Sequence, residues 1–204
     1  MKTKSVLHNY FEKNKKSFSI IIIIFFIGMV LGIFFINHTA SEEMSNINSY
    51  INSLMKNIKQ TDNINSVELL LQSIKQNSGF ILIIWMLGCT IIGSSLVYFG
   101  VAYKGFALGY TISAIIATIG PKNGSIFVFS SLLLQNIIFL PAVFILAESG
   151  IKLYTRITKQ CVNLKQELLR HTIIMLITLV MTVLSAVIEV YLSTNLLIFL
   201  KKIM

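Results

Sequence analysis

Charge is scarce in this chain. Of its 204 residues only 12% are charged, against 55% hydrophobic, and the mean hydropathy is +0.78. An average soluble domain carries roughly twice that share of charge. There are too few polar side chains here to cover a water-soluble globule. Disorder is excluded too, because chains that stay unfolded are poor in apolar residues. Cysteine and proline are nearly absent, at 2 each. Two cysteines cannot build a disulfide framework. Acidic residues are the scarcer sign: 8 Asp+Glu face 17 Lys+Arg, for a net charge of +9. In an apolar chain that surplus points to cationic loops at a membrane surface rather than to nucleic acid.

The familiar signatures of chemistry are also missing. There is no GxxxxGK(S/T) phosphate loop, no GxSxG elbow and no HExxH pair. His8, His38 and His171 stand far apart, and Cys89 and Cys161 suggest no redox or metal pair. Catalysis needs a nucleophile, a base and an orienting group within reach. The expectation is a non-enzymatic protein without cofactor or metal.

What is present is apolar length. A bilayer core of about 30 Å takes about 20 apolar residues in a helix. Five stretches meet this, at about 18–36, 79–102, 105–119, 124–147 and 172–192. The expected fold is all-α, one integral membrane domain over 1–204: a polytopic bundle of about five transmembrane helices. The first stretch exceeds the 7–15 apolar residues of a signal peptide and reads as an uncleaved anchor. The second and third are separated by so little that a tight hairpin with Lys104 at its tip is expected.

The basic residues then sort by side. Lys2, Lys4, Lys13, Lys15, Lys16, Lys104, Lys152, Arg156, Lys159, Lys165 and Arg170 fall on one side, eleven in all. Six fall on the other: Lys56, Lys59, Lys75, Lys122, Lys201 and Lys202. The positive-inside bias places the N-terminus in the cytoplasm.

Two connections carry amphipathic patterns. In the outer one, 37–78, residues Met44, Ile47, Ile51, Leu54, Met55 and Ile58 recur at helical spacing. Asn65 and Glu68 have capping-box spacing for a second short surface helix. In the cytoplasmic one, 148–171, Ile151, Tyr154, Ile157, Cys161, Leu164 and Leu168 form a stripe among basic residues. This is the pattern of an interfacial helix on anionic lipid.

Inside the spans, small residues fall four apart at Gly105, Gly109, Ser113 and Ala117, and again at Gly28 and Gly32. In lipid such stripes let helix backbones approach, within one chain or between copies of a homo-oligomer. Gln135 and Asn136 are adjacent amides, costly in hydrocarbon unless paired. Pro141 frees a carbonyl near Ile137 as a partner for a nearby amide. Glu189, with Tyr191 two residues on, is an intramembrane carboxylate and hence a functional candidate.

These residues together carry a resemblance. Trp85-Met86-Leu87-Gly88 with Gly93, Lys104-Gly105 leading to Gly109, Gln135-Asn136 with Pro141, and Glu189 with Tyr191 resemble the stage II sporulation protein M family. Leu134 and Thr194 stand where that pattern has proline. The resemblance implies a scaffold of the engulfment machinery in the cell membrane at the sporulation septum. It also implies two peptidoglycan-degrading partners, the stage II sporulation proteins D and P, which carry the chemistry. The competing reading is a permease-like transporter subunit in which Gln135, Asn136 and Glu189 line a polar path. The outer stripe (Ile47, Ile51, Leu54, Ile58) and the polar trio are the expected partner or subunit contacts.

Overall fold

The computed structural model describes residues 2–60, 66–90, 92–129, 132, 134–158 and 163–203. Side chains are described from 15 to 190 within these, apart from 41, 54–60, 66, 69 and 134. Seven helices follow one another: α1 (Lys2–Asn37), α2 (Ser41–Gln60), α3 (Ser66–Gly88), α4 (Gly93–Ile119), α5 (Pro121–Val128), α6 (Leu134–Thr158) and α7 (Leu164–Ile203). Strands are absent among the described residues, so the expected all-α helix bundle is what the chain forms. Among the described residues four segments are long and apolar enough to cross a membrane: Lys15–Asn37, Gly93–Ile119, Gln135–Thr158 and Leu164–Val190.

The structure corrects several boundaries. The hairpin at Lys104 does not exist: α4 runs unbroken through it, and the chain turns instead after α3, at Cys89 and Thr90. Gly100, Ala102 and Gly105 read as a break because small residues interrupt an apolar run. They are small because other helices lie against them. The fourth stretch begins in α5 and continues in α6, and Phe129, directly after α5, keeps helical angles at φ −62° and ψ −46°. Between α4 and α5 the break is local chemistry. Gly120 has φ of 90°, which L side chains rarely adopt, and Pro121 then starts α5 where its missing N–H is not needed.

The amphipathic connections also resolve differently. The stripe from Met44 does form a helix, α2. The second outer helix is no separate surface element, since α3 continues from Ser66 straight into the apolar run ending at Gly88. Asn65, its expected cap, lies outside the described residues. The interfacial helix over 148–171 is replaced by the end of α6 and the start of α7. Cys161 lies outside the described residues.

Inter-helix contacts fix the directions. Gly105 and Gly109 of α4 lie on Phe25 and Met29 of α1, so these two helices run parallel. Phe80 reaches Lys104 and Ile84 reaches Gly100, so α3 is antiparallel to α4. Ser73 meets Glu189 and Trp85 meets His171, so α3 is also antiparallel to α7. The apolar core is shared by α1, α3, α4, α6 and α7, with Ile21, Ile81, Ile84, Val97, Val101, Phe139, Val143, Leu146 and Met175 buried.

Candidate functional site

The α1–α4 seam is the closest helix contact. A Cβ built on Gly28 would stand 2.1 Å from the Ala102 carbonyl oxygen, and one on Gly32 2.2 Å from that of Phe106. From the other side, Gly105 and Gly109 would meet the Phe25 and Met29 carbonyl oxygens at 2.1 Å. The two small-residue stripes are thus each other's partners within one chain. Ser113 is half-buried, whereas Ala117 is exposed. The seam is set by the glycines, and Ala117 lies off it.

A polar layer crosses the bundle near the start of α6 and the Glu189 end of α7. The Ser73 hydroxyl donates to the Glu189 carboxylate. It accepts from Gln135 Nε2 at 3.2 Å and from Asn77 Nδ2 at 3.3 Å. One hydroxyl proton and two lone pairs are thereby all used. Ser185 Oγ donates to the Gln135 carbonyl at 2.7 Å. Lys104 enters from α4, with Nζ 4.7 Å from the Phe139 ring centre and 5.3 Å from that of Phe80. It also interacts electrostatically with Glu189. The layer thus joins α3, α4, α6 and α7 around one carboxylate and one ammonium.

Gln135 and Glu189 are brought together as a site, but Asn136 is not part of it. Its Nδ2 donates to the Leu132 carbonyl at 2.7 Å, one turn back in its own chain. The carbonyl it uses is therefore not the one near Ile137 that Pro141 is expected to free. Pro141 sits inside α6 and is exposed. The side chain of Tyr191 lies outside the described residues, as do those of Ser130 and Ser131.

A second polar cluster stands at the opposite end of the same helices. His171 is 1% exposed. Its Nδ1 is 2.9 Å from Ser149 Oγ and its Nε2 is 3.3 Å from the Trp85 carbonyl. The ring fits because Gly88 and Gly150 leave room for it: a Cβ on Gly88 would stand 2.7 Å from Nε2. Fully buried Glu148 pairs with Lys152 at 2.6 Å, and Arg156 pairs with Glu167 at 2.5 Å. Sequence reasoning misses Ser73, Asn77, Ser185, Glu148 and His171. Ser73 and Asn77 leave a signal, being four apart on one helical face. His171 leaves none, because Trp85, Ser149 and His171 meet only through tertiary packing.

At the Ile119 end of α4, helix α2 lies over α4 without closing on it. Thr118 Oγ1 donates to Asn48 Oδ1 at 2.7 Å and fixes its position. Between them runs a groove of about 590 Å³ lined by Ile47, Ile51, Tyr50, Tyr110, Ile115 and Phe127, among others. Two of the four stripe residues singled out from sequence, Ile47 and Ile51, therefore open on this groove. The side chains of Leu54 and Ile58 lie outside the described residues. Among the described residues no three His, Cys, Asp or Glu gather as metal ligands.

No curated protein and no solved structure matches the chain. A family model does: the one described as Stage II sporulation protein M matches residues 21–194. The match spans the seam, the groove and both polar clusters, and with it the chain belongs to the stage II sporulation protein M family and is a sporulation-related membrane protein.

Proposed function

We propose that the protein is a non-enzymatic, multi-pass membrane scaffold that holds the stage II sporulation proteins D and P at the septal membrane during engulfment. The bundle has its N-terminus in the cytoplasm and its α2 outside. Parallel α1 and α4 support this topology. If both cross, the chain between them must cross back, and α3 is the helix antiparallel to α4. The crossings are then α1, α3, α4, α6 and α7. Lys15, Lys16, Lys152, Arg156, Lys165 and Arg170 share the cytoplasmic end, as the positive-inside bias requires. Lys104 leaves that tally without reversing it.

The observation that carries the scaffold reading is the α2–α4 groove. It is apolar, opens on the Ile47 and Ile51 side chains, and sits at the end of α4 that this topology turns outward, its Tyr110 and Ile115 wall being part of the α4 crossing. Wall-degrading partners act on that side of the membrane. A groove of this volume has the size of a binding site rather than of a packing defect. The permease-like reading has less support, because Ser73 leaves no donor or lone pair free for a solute in the polar layer.

The test is affinity purification from sporulating cells. The native chain should recover two wall hydrolases, and Ile47→Glu with Ile51→Glu should lose them while the chain stays in the membrane at normal amount. Undiminished recovery would remove the groove from the reading. Flux through purified protein in liposomes, lost in Glu189→Gln, would replace the scaffold by the permease.

A further inference from the structure

Helix α3 is the odd member of the bundle. It lies between α4, α6 and α7, yet it is not among the segments apolar enough to cross a membrane. Its apolar half, from Phe80 to Leu87, follows Gln72, Ser73, Lys75, Gln76, Asn77 and Ser78. Polar groups at membrane depth need partners, since hydrocarbon supplies none. Among the described residues the long-range partners of that polar half come from later helices: Gln135 of α6 and Glu189 of α7 reach Ser73. Lys104 of α4 packs on the rings of Phe80 and Phe139.

We propose that α3 is a conditional span, kept across the bilayer by the Glu189–Ser73–Gln135–Lys104 layer and not by its own apolarity. The inference rests on the topology given under Proposed function. Its mechanism is thermodynamic. When α3 leaves the ribosome its polar half has no partner, and the crossing is unfavourable. Once α6 and α7 bring Gln135 and Glu189 to Ser73, the inward side of that polar half gains its partners and the crossing becomes the stable state. Without Glu189 the segment stays outside, and the turn at Cys89 and Thr90 stays outside with it. The glycine seam adds a check, because α4 can lie parallel to α1 only if α3 has crossed.

Cys89 sits in that turn and is exposed, so it reports the crossing directly. The experiment uses the full chain with Cys161→Ser and a membrane-impermeant maleimide applied to intact cells, normalised to labelling after permeabilisation. In the native background Cys89 should be labelled only after permeabilisation. Labelling before it would overturn the topology itself, separately from the proposal. Glu189→Ala should raise the outward-labelled fraction about three-fold, the order expected when one intramembrane hydrogen bond is removed. Adding Lys75→Leu and Gln76→Leu, both exposed and outside the layer, should return it to the native level by making α3 apolar enough alone. An unchanged fraction in Glu189→Ala, or a rise that the leucines do not reverse, would overturn the proposal. If Glu189→Ala is degraded, the same leucines should restore its amount, and failure to do so counts against it equally.

Discussion

Replacing Gly105 by Ala adds a single methyl group, and the seam leaves no room for it. The new Cβ would lie 2.1 Å from the Phe25 carbonyl oxygen, where ordinary contact begins at 3.4 Å. The obstacle is backbone, so no rotamer change relieves it. Helices α1 and α4 must separate by roughly 1 Å, and dispersion falls steeply over that distance. Overpacking of this kind costs about 1–3 kcal/mol. Each Cα–H···O interaction broken along the seam adds about 0.5–1 kcal/mol. A total of about 2–3 kcal/mol follows, or roughly a 30- to 150-fold shift toward undocked α1. Gly28→Ala should cost a similar amount. The double variant should cost much less than the sum, because one separation relieves both clashes. Gly79→Ala is the internal control: nothing lies within 4 Å of its Cβ position inside α3, so it should be neutral to stabilising by up to about 1 kcal/mol. Thermal stability of the purified protein in detergent reads all four. Gly105→Ala and Gly79→Ala behaving alike would refute the argument, and so would strict additivity of the double variant.

Two smaller expectations follow from the same packing. Asn48→Ala removes the acceptor that α2 offers Thr118, leaving the hydroxyl on the Ala114 carbonyl of its own helix, and should loosen α2 by about 1 kcal/mol. Hydrogen exchange in 42–53 should then quicken about five-fold, and unchanged exchange would mean that packing alone holds α2. Partial burial holds the Cys89 thiol above its ordinary range. Its thiolate fraction at pH 8 is thus smaller than that of a free cysteine, so maleimide should react more slowly there and the gap should close as pH rises past the raised value. Equal rates at pH 8 would show that the turn does not desolvate the sulfur.

The fold is legible in the sequence where one local signal decides the matter. Apolar length announces α1 and α7, and the 3.6-residue period of Ile47 and Ile51 announces α2. The glycine stripes announce a seam. Legibility ends where one residue type has two uses. Small residues at 100–105 serve both turns and close packing, and only the partner helix tells which. Lys104 reads as a loop residue because a lone lysine in an apolar run is costly inside a span. Its compensation comes from Glu189 and two aromatic rings far off in sequence. For the same reason α3 reads as two pieces: its polar half resembles a surface helix until Gln135 and Glu189 are placed beside it.

The two kinds of glycine contact should leave different evolutionary marks. Gly88 is limited first by the His171 ring, a side chain that can change, and only more loosely by the Gly150 backbone at 3.1 Å. Among relatives, a larger residue at 88 should be accompanied by a smaller one at 171, so the pair should covary. The seam glycines face carbonyl oxygens, which every amino acid carries. No substitution elsewhere can make room for them, so Gly28, Gly32, Gly105 and Gly109 should persist without a covarying partner.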